Sequence, residues 1–492
     1  MRIIALLFAV MSLPAVCTAQ TVSPDLIDPG RELEDRLERE RLEDEIRRFR
    51  PAPGEIQPSL VNPERAGEGP CVQIDDITVD GVTLISNSEL ESLLENRYPG
   101  CLSRYHISNL MRSIDKAYVD KGYITARTYI PEQDVQKTGV LKLQVVEGRV
   151  EQVKLVRDSK EIAKSPYSLE KWTAFLNREG QFLNVRDFEQ GLEQLNRQAS
   201  MTAKMRLEPG QNPGGSVIVV EQNVQDRYRS FVGYDNLGSR STGERQLRLQ
   251  LSADGVLSAN DVGSFVYIGS RNANAVNTAL SVPVGYNTIT ASASVSDFLI
   301  PLSDISELLT ETQSYSVSID RVIKRDAFSI ANLSAAVRLR KSERFINGVG
   351  LQPQTTTVGD IRLRQIQNSR NARWSWEIGM RTGLPWLGGQ TDFGNLPADQ
   401  AHAEFHAIDF SITRLGSSQK QGRWKASLRG QVSTTALLGS EQFSLGSQST
   451  VRGFREPLLG GDSGAALRFD GNMKLPGLNS MLSRLPKGVG DT

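Results

Sequence analysis

The chain lacks features that would place it among helical membrane proteins or nucleic-acid-binding proteins. Beyond the N-terminus, no apolar run approaches the ~20 residues that a membrane-spanning helix needs. Lysine plus arginine and aspartate plus glutamate each number 57 in a chain of 492 residues. Such a balanced charge does not indicate a nucleic-acid partner or an anionic membrane surface. These absences exclude a polytopic helical membrane protein and give no support to a nucleic-acid-binding protein.

Motifs of catalysis and of metal binding are also scarce. There is no P-loop and no dinucleotide fingerprint, so no nucleotide-driven step is predicted. Gly461–Gly464 reads Gly-Asp-Ser-Gly, as in trypsin-like proteases, but no histidine stands in the context that such a triad needs. His402 and His406 flank Glu404 at strand spacing, which indicates a polar strand face rather than a zinc motif. We therefore predict no enzyme, no metal site and no cofactor.

The N-terminus has the three-part pattern of a secretory signal peptide. Arg2 precedes an apolar run from Ile3 to Val16, and small residues end at Ala19. Residues 1–19 are predicted to be removed on export. A lipoprotein at Cys17 and a single uncleaved anchor are weaker alternatives, because Val16 is large and the run is short for a span.

The cysteines that remain after export form an isolated pair, Cys71 and Cys101. In an oxidising compartment such a pair predicts one disulfide, and two free thiols are the alternative.

Residues 20–50 predict one highly charged helix. Asp28 is an N-cap residue, followed by a proline at the first helical position. From Arg31 to Arg50, fifteen of twenty residues are charged, and acid-first pairs such as Glu43 with Arg47 recur at helical spacing. A helix so polar suits solvent, a short coiled coil or a water-filled lumen better than a dry core. Its thin apolar stripe consists of Leu33, Leu37, Leu42, Ile46 and Phe49.

The next three segments form a linker and two repeats. Residues 51–70 hold five prolines and three glycines, which predicts an extended, semi-rigid tether. Residues 71–148 and 149–223 then follow as two units with the same order, β-α-α-β-β. Strands are predicted at 72–79, 123–130, 140–146, 150–156, 201–207 and 217–220, and helices at 88–94, 104–121, 169–176 and 185–198.

Residues 224–492 carry no helical pattern and alternate apolar with polar or basic residues. Tyr315–Ile319, Ile361–Arg364 and Trp424–Gly430 are examples. The mean hydropathy of −0.33 fits a membrane barrel, because residues that face lipid and lumen average out. A soluble β-sandwich gives a similar alternation, but arginines on the inward face favour a barrel with a polar lumen.

The tract Val451-Arg452-Gly453-Phe454 resembles the Val-Arg-Gly-Phe/Tyr motif of two-partner secretion transporters (TpsB). Two further phrases, Lys121–Thr125 and Leu195–Gln198 with Leu207–Gly210, are similar to phrases in the POTRA domains of that family. The resemblance implies that a loop around residues 446–464 folds back into the lumen of a barrel. It also implies that Arg452 holds this loop through a charge-assisted hydrogen bond.

The same resemblance implies the fold and the function. The expected fold is a transmembrane antiparallel β-barrel of about sixteen strands, preceded by two POTRA domains and an N-terminal plug helix. The expected function is export of a partner exoprotein with an N-terminal secretion domain. The barrel would lie in the outer membrane and the POTRA domains in the periplasm. Outer-membrane lipid, periplasmic chaperones and the barrel assembly machinery are the other expected partners, with no nucleic acid and no nucleotide.

Three alternatives stay open at this point: an insertase for other outer-membrane proteins, a non-functional truncated relative and a soluble periplasmic binding protein. Truncation is expected because 38 residues follow Phe454 and no aromatic residue ends the chain. The final strands of the family barrel would then be missing, and Asp470 is the only nearby acidic candidate to pair with Arg452.

Overall fold

A computed structural model gives the structure of the chain. A charged helix, two α/β domains and a long antiparallel sheet follow one another in sequence. No helix among the residues described is long and apolar enough to cross a membrane. The predicted signal peptide and linker lie outside those residues. The structure describes residues 27–48, 71–95, 101–157, 160–162, 169–176, 178–258, 260–369, 372–394, 396–418, 422–446, 451, 453–454, 457 and 459–472.

The charged helix, α1, spans Pro29–Arg48. Its first turn begins where the sequence predicts, because the Asp28 carboxylate accepts a hydrogen bond from Gly30 N at 2.8 Å. The predicted i,i+4 pairing occurs at Glu32 and Arg36, whose charged atoms are 3.1 Å apart. The side chain of Arg47 lies outside the description.

The first α/β domain has a three-stranded sheet in the order β2-β5-β4, with β2 parallel to β5. The helix α3 covers this sheet, and its buried residues Leu110, Ile114 and Tyr118 recur every four residues. The elements are β1 Cys71–Gln73, β2 Asp76–Asp80, α2 Asn87–Glu95, β3 Cys101–Ser103, α3 Arg104–Asp120, β4 Arg127–Tyr129, α4 Val135–Thr138 and β5 Val140–Val146.

Four features of this domain differ from the sequence prediction. The strand predicted at 72–79 is divided into β1 and β2, which belong to different sheets, and β3 was not predicted. The strand predicted at 123–130 is only β4, because the chain turns at Gly122, where φ is +95°. Arg127 Nη1 then donates to the backbone oxygens of Ile124 and Ala126 at 2.9 and 2.7 Å, which holds the turn. The short helix α4 was not predicted. Its N-cap is Asp134, and four residues carry too little periodicity to be read from sequence.

Glu147, just after β5, fixes the entry loop of the same domain. Its carboxylate accepts hydrogen bonds from Thr83 N at 2.7 Å, Leu84 N at 2.9 Å and the Tyr118 hydroxyl at 2.7 Å. Burial alone would raise the pKa of Glu147, but these hydrogen bonds hold the pKa below its ordinary value. Burial of the phenol raises the pKa of Tyr118, and the neighbouring Glu147 carboxylate raises it further.

The second α/β domain repeats the plan with a four-stranded sheet in the order β7-β6-β9-β8. Its helices pack closely, since a Cβ at Gly191 would lie 2.2 Å from the ring of Phe175. The elements are β6 Arg149–Arg157, β7 Lys160–Glu161, α5 Leu169–Phe175, α6 Val185–Asn196, β8 Met201–Pro209 and β9 Gly215–Val224.

The sheet that follows is antiparallel throughout, and each long strand pairs with the next along the chain. Thirteen of the described strands belong to it, while the expected total of about sixteen stays a prediction. The strands are β10 Tyr228–Asp235, β11 Gln246–Asp254, β12 Val262–Gly269, β13 Ala273–Val284, β14 Asn287–Ser303, β15 Ser306–Arg325, β16 Ser329–Ile346, β17 Val349–Gly350, β18 Gln354–Asn368, β19 Ala372–Leu384, β20 His406–Ser418, β21 Gly422–Ser433 and β24 Gly464–Asn472.

The strands are longer than their apolar alternation suggests. Strand β15 runs for 20 residues, whereas the sequence pattern marked only Tyr315–Ile319. On this strand Tyr315, Val317 and Ile319 are exposed on the outer face, while Thr312 and Ser314 are buried on the inner face. Small hydroxyl residues on the inner face pair well in a sheet but give little contrast in hydropathy. The alternation of apolar and polar residues therefore predicts a strand shorter than the one observed.

The second α/β domain is fastened to the turns at one end of the sheet. Gln194 Nε2 donates to Gly285 O at 3.2 Å, and Gly285 N donates to Thr173 O at 2.7 Å. The Tyr286 hydroxyl donates to Asp187 at 2.6 Å, from the turn between β13 and β14. Helices α5 and α6 thus both hold the same hairpin, which orients the domain relative to the sheet.

Cys71 and Cys101 form a disulfide with their Cα atoms 5.4 Å apart, joining β1 to β3. We expect Cys71→Ser with Cys101→Ser to destabilise the first α/β domain by about 3–4 kcal/mol, because the unfolded chain gains the freedom of an open loop. Thermal unfolding followed by limited proteolysis of the full chain measures this. A reductant should destabilise the unsubstituted chain equally and leave the double variant unchanged. A double variant as stable as the oxidised chain would contradict the expectation.

Candidate functional site

The helix α1 lies against the inner surface of the sheet. Leu33 is almost fully buried against Val266, Ile268 and Ala275 on β12 and β13, and Leu37 packs beside it. Further along the thin apolar stripe, Ile46 packs against Ile330 and Ile366 on β16 and β18. The wall beneath the start of the helix is made of small residues, and a Cβ at Gly30 would lie 2.4 Å from Ser296 Oγ.

Asp28 is the buried anchor at the start of the helix. It accepts a hydrogen bond from Ser296 Oγ at 2.8 Å and forms an ion pair with Arg340 of β16. The side chains of Asp28 and Arg340 are only 1% and 7% exposed. The N-cap residue that the sequence predicts is therefore also a contact to two distant strands.

The rest of α1 is held mainly by polar contacts along its length. Glu45 accepts hydrogen bonds from Arg364 at 2.9 Å and from Asn332 at 2.8 Å. Glu43 pairs with Lys425 of β21 at 2.9 Å. Arg41 also pairs with Asp320 of β15. The helix is thus surrounded by charged side chains of the sheet, as a lumenal position predicts.

A second group of contacts joins the start of α1 to a loop between β21 and β24. Arg31 donates to the backbone oxygens of Gly439 and Gln442 at 2.9 and 2.7 Å. Between these two residues, the buried Glu441 accepts hydrogen bonds from Arg338 at 3.1 Å and from Arg381. One carboxylate of the loop therefore lies among arginines of the strands that also face the helix.

Asp462 fastens the two ends of this loop to each other. Its carboxylate accepts hydrogen bonds from Leu437 N at 2.8 Å and from Gln442 Nε2 at 3.1 Å. Its backbone oxygen accepts a hydrogen bond from Gln431 Nε2 of β21 at 3.0 Å. Two short strands, β22 Phe443–Leu445 and β23 Leu459–Gly461, pair within the loop.

The predicted secretion motif lies beyond β22 in this loop. Val451 and Phe454 are both exposed, and Phe454 N donates to Val451 O at 3.1 Å. Among the residues that the structure describes, no atom would obstruct a Cβ at Gly453. Arg452 lies outside the residues that the structure describes. Asp470, the acidic candidate from the sequence, pairs with Arg468 at 2.8 Å on β24.

The arginines of β18 and β19 have acidic partners on the sheet itself. Arg364 pairs with Glu377 at 2.7 Å, and Arg381 pairs with Asp409 at 2.6 Å. Arg362 pairs with Asp360 at 2.6 Å, along the same strand. These pairs neutralise the inner wall independently of α1.

Sequence reasoning missed Glu441 and Asp462 as functional candidates. The alternating arginines of the strands indicated that acidic partners exist elsewhere in the chain, since a row of buried cations requires them. The residues around Glu441 gave no indication of this role, because Glu441 lies in an irregular loop and no sequence periodicity links it to the strands.

The protease-like and metal-like tracts have structural partners. Ser463 Oγ accepts a hydrogen bond from Ser433 N at 3.0 Å. The prediction of a strand across residues 402–406 is wrong for residues 402–405, because β20 begins only at His406. His402 instead lies in a loop, where its ring nitrogen is 2.8 Å from Asp392, while His406 contacts Thr382. Within the described ranges, no group of three metal-ligating side chains could hold an ion.

Comparison with protein families gives matches along most of the chain. The family of haemolysin secretion/activation proteins ShlB/FhaC/HecB matches residues 214–483. A POTRA domain of the ShlB type matches residues 72–148, and a further POTRA domain matches residues 149–209.

Individual proteins agree with the family match. The outer membrane transporter CdiB of Dickeya dadantii (strain 3937) is 30% identical over 421 residues, covering 83% of this chain and 74% of that protein. The outer membrane transporter CdiB of Escherichia coli O6:K15:H31 (strain 536 / UPEC) is 29% identical over 476 residues, covering 93% and 79%.

A solved structure agrees as well. CdiB from Escherichia coli superimposes with a TM-score of 0.82 at 26% identity, covering 93% of this chain and 86% of that one. The predicted fold, an antiparallel barrel preceded by POTRA domains, is confirmed. The chain therefore belongs to the ShlB/FhaC/HecB family of haemolysin secretion/activation proteins, as an outer-membrane transporter whose POTRA domains lie in the periplasm.

Proposed function

We propose that this transporter exports one partner exoprotein through its barrel, and that α1 closes the lumen until the exoprotein arrives. The observation that carries the proposal is the nature of the contacts around α1. Apart from Leu33 and Leu37, and from Ile46 against Ile330 and Ile366, the described contacts are ion pairs and hydrogen bonds, which water can replace when the helix leaves. A helix fixed by a large apolar interface would not leave without exposing that interface.

The side chains of the lumen wall would remain paired when the lumen opens, so opening could occur repeatedly. When α1 leaves, Arg364 keeps Glu377, and Arg381 keeps Asp409 and Glu441. An arginine with a remaining partner does not pay the full cost of an uncompensated buried charge. The opened lumen would retain charged and hydroxyl groups along its wall, which suit the polar backbone of an extended polypeptide in transit.

Capture of the exoprotein would occur at the POTRA domains. Strands β4 and β8 are the edges of their sheets, so their outer backbone groups can pair with an extended segment of the N-terminal secretion domain. Tyr129 on β4 and Leu207 on β8 are exposed apolar side chains beside those edges. Folding of the exoprotein outside the cell would make export directional without a nucleotide and without an enzymatic step.

The other expected partners have supporting roles in this scheme. Periplasmic chaperones would keep the exoprotein unfolded, and the barrel assembly machinery would insert the transporter into outer-membrane lipid. The family match favours secretion over the alternative of an insertase for other barrels.

Charge removal at the buried anchor should open the lumen. Asp28→Asn keeps an oxygen to cap α1 but loses the ion pair with Arg340, and breaking a buried pair costs about 3–5 kcal/mol. We expect single channels in planar bilayers to open at least about tenfold more often, since every 1.4 kcal/mol is a factor of ten in an equilibrium. Glu32→Gln is the matched control, because its ion pair lies within the helix.

The same experiment includes a coupling test. Arg340→Gln should open the channel as Asp28→Asn does, and the double variant should open it no more than either single variant. Opening frequencies of Asp28→Asn equal to those of Glu32→Gln would show that the pair does not hold the helix in the lumen.

Arg452 is proposed to hold the returning loop through a charge-assisted hydrogen bond, on the basis of the family motif. Arg452→Ala should sharply reduce the amount of exoprotein in the culture medium while heat-modifiable migration shows normal insertion of the barrel. Arg455→Ala, three residues along, removes the same charge outside the motif and serves as the control. Normal secretion by the Arg452→Ala variant would remove this role.

A further inference from the structure

The outer face of the sheet carries an aromatic girdle at its periplasmic end. The chain enters the sheet from the POTRA domains, so the turns before β19 and β21 lie on the periplasmic side. Arg414 lies between Trp374 and Trp424, with its guanidinium carbon 4.6 and 5.2 Å from their ring centroids. Phe469 stacks on Trp424 with ring centroids 6.1 Å apart. Tryptophans of membrane proteins concentrate at the headgroup level, so this girdle marks the inner interface of the outer membrane.

The opposite flank of the sheet has no tryptophan of its own. The sequence contains none between residues 173 and 373, which include the strands from β10 to β18. Exposed apolar residues stand instead in the turn between β11 and β12, where Val256 is 54% and Leu257 is 72% exposed. Val256 folds over the outer face, since its Cγ2 lies 3.0 Å from the position of a Cβ at Gly263. This periplasmic turn therefore presents its apolar tip towards lipid.

A helix of the second POTRA domain is fixed beside that turn. Asn260 Nδ2 donates to Glu170 O at 3.0 Å and to Thr173 Oγ1 at 2.6 Å, which binds the turn to α5. On the exposed side of α5, Leu169 and Trp172 stand three residues apart and are 53% and 43% exposed. Neighbours at this spacing share one face of a helix.

We propose that Leu169, Trp172, Val256 and Leu257, the rim patch, insert into the headgroup region of the inner leaflet of the outer membrane. The patch continues the lipid-facing surface of the sheet through Val256, and it supplies a tryptophan on the flank where the barrel wall has none. Its occupant is therefore lipid. Because α5 and the turn are joined by hydrogen bonds, insertion holds the second POTRA domain at a fixed inclination to the membrane.

The interfacial position of Trp172 can be measured by fluorescence quenching. The full chain is placed in vesicles whose phospholipids are brominated on the acyl carbons nearest the headgroup. The fluorescence difference between the unsubstituted chain and Trp172→Phe is the emission of Trp172. We expect brominated lipid to reduce this emission at least about twofold, as for a residue at the interface. The corresponding difference for Trp424→Phe is the positive control.

A second substitution provides the negative control. Tyr129 is 53% exposed on the first POTRA domain, so Tyr129→Trp in the Trp172→Phe chain reports a site of similar exposure away from the barrel. We expect its emission to be unaffected by brominated lipid. The proposal is overturned if Trp172 emission persists while Trp424 emission is quenched, which would leave the patch to an exoprotein segment. Equal quenching of the Tyr129→Trp variant would also overturn it, because the whole arm would then lie on the membrane.

Discussion

The ion pair between Asp28 and Arg340 holds the start of α1 against the sheet, and the proposed closure of the lumen depends on it. A buried charge pair is stable only while both partners stay in place, because either charge alone in a low-dielectric site is costly. Asp28 also caps α1, so the same carboxylate fixes the beginning of the helix and its position in the lumen. In the proposed function, helix formation and lumen closure are thereby coupled through one side chain.

The two sides of the lumen contribute differently to this closure. On β13 and β14, small residues such as Ala275 and Ser296 let the backbone of α1 approach the wall closely. On β18 to β20, arginines and carboxylates form pairs with each other that do not involve the helix. One side of the lumen therefore allows close packing of the helix, and the other side makes ion pairs. Glu441 connects the charged wall to the loop that carries the predicted secretion motif, and Arg31 connects that loop to the helix.

The periplasmic end of the barrel imposes a further constraint. Turns of the sheet are held between α5 and α6 of the second POTRA domain by hydrogen bonds that include backbone groups. A domain joined in this way transmits its orientation to the barrel instead of moving as a free arm. Any exoprotein segment that pairs with the edge strand β8 would then be presented at a defined angle to the lumen.

The sequence by itself determined the local features: the charged helix with Asp28 at its start, the repeated α/β plan, the alternating strands and the four-residue motif. These depend on periodicity and on contacts between near neighbours, which the order of residues records directly. It also indicated a polar lumen through the arginines of the strands. Only the tertiary structure decided that Asp28 meets Ser296, 268 residues away, and that Glu441 lies among the arginines. Such contacts depend on strand register and on the path of irregular loops, and neither leaves a period in the sequence.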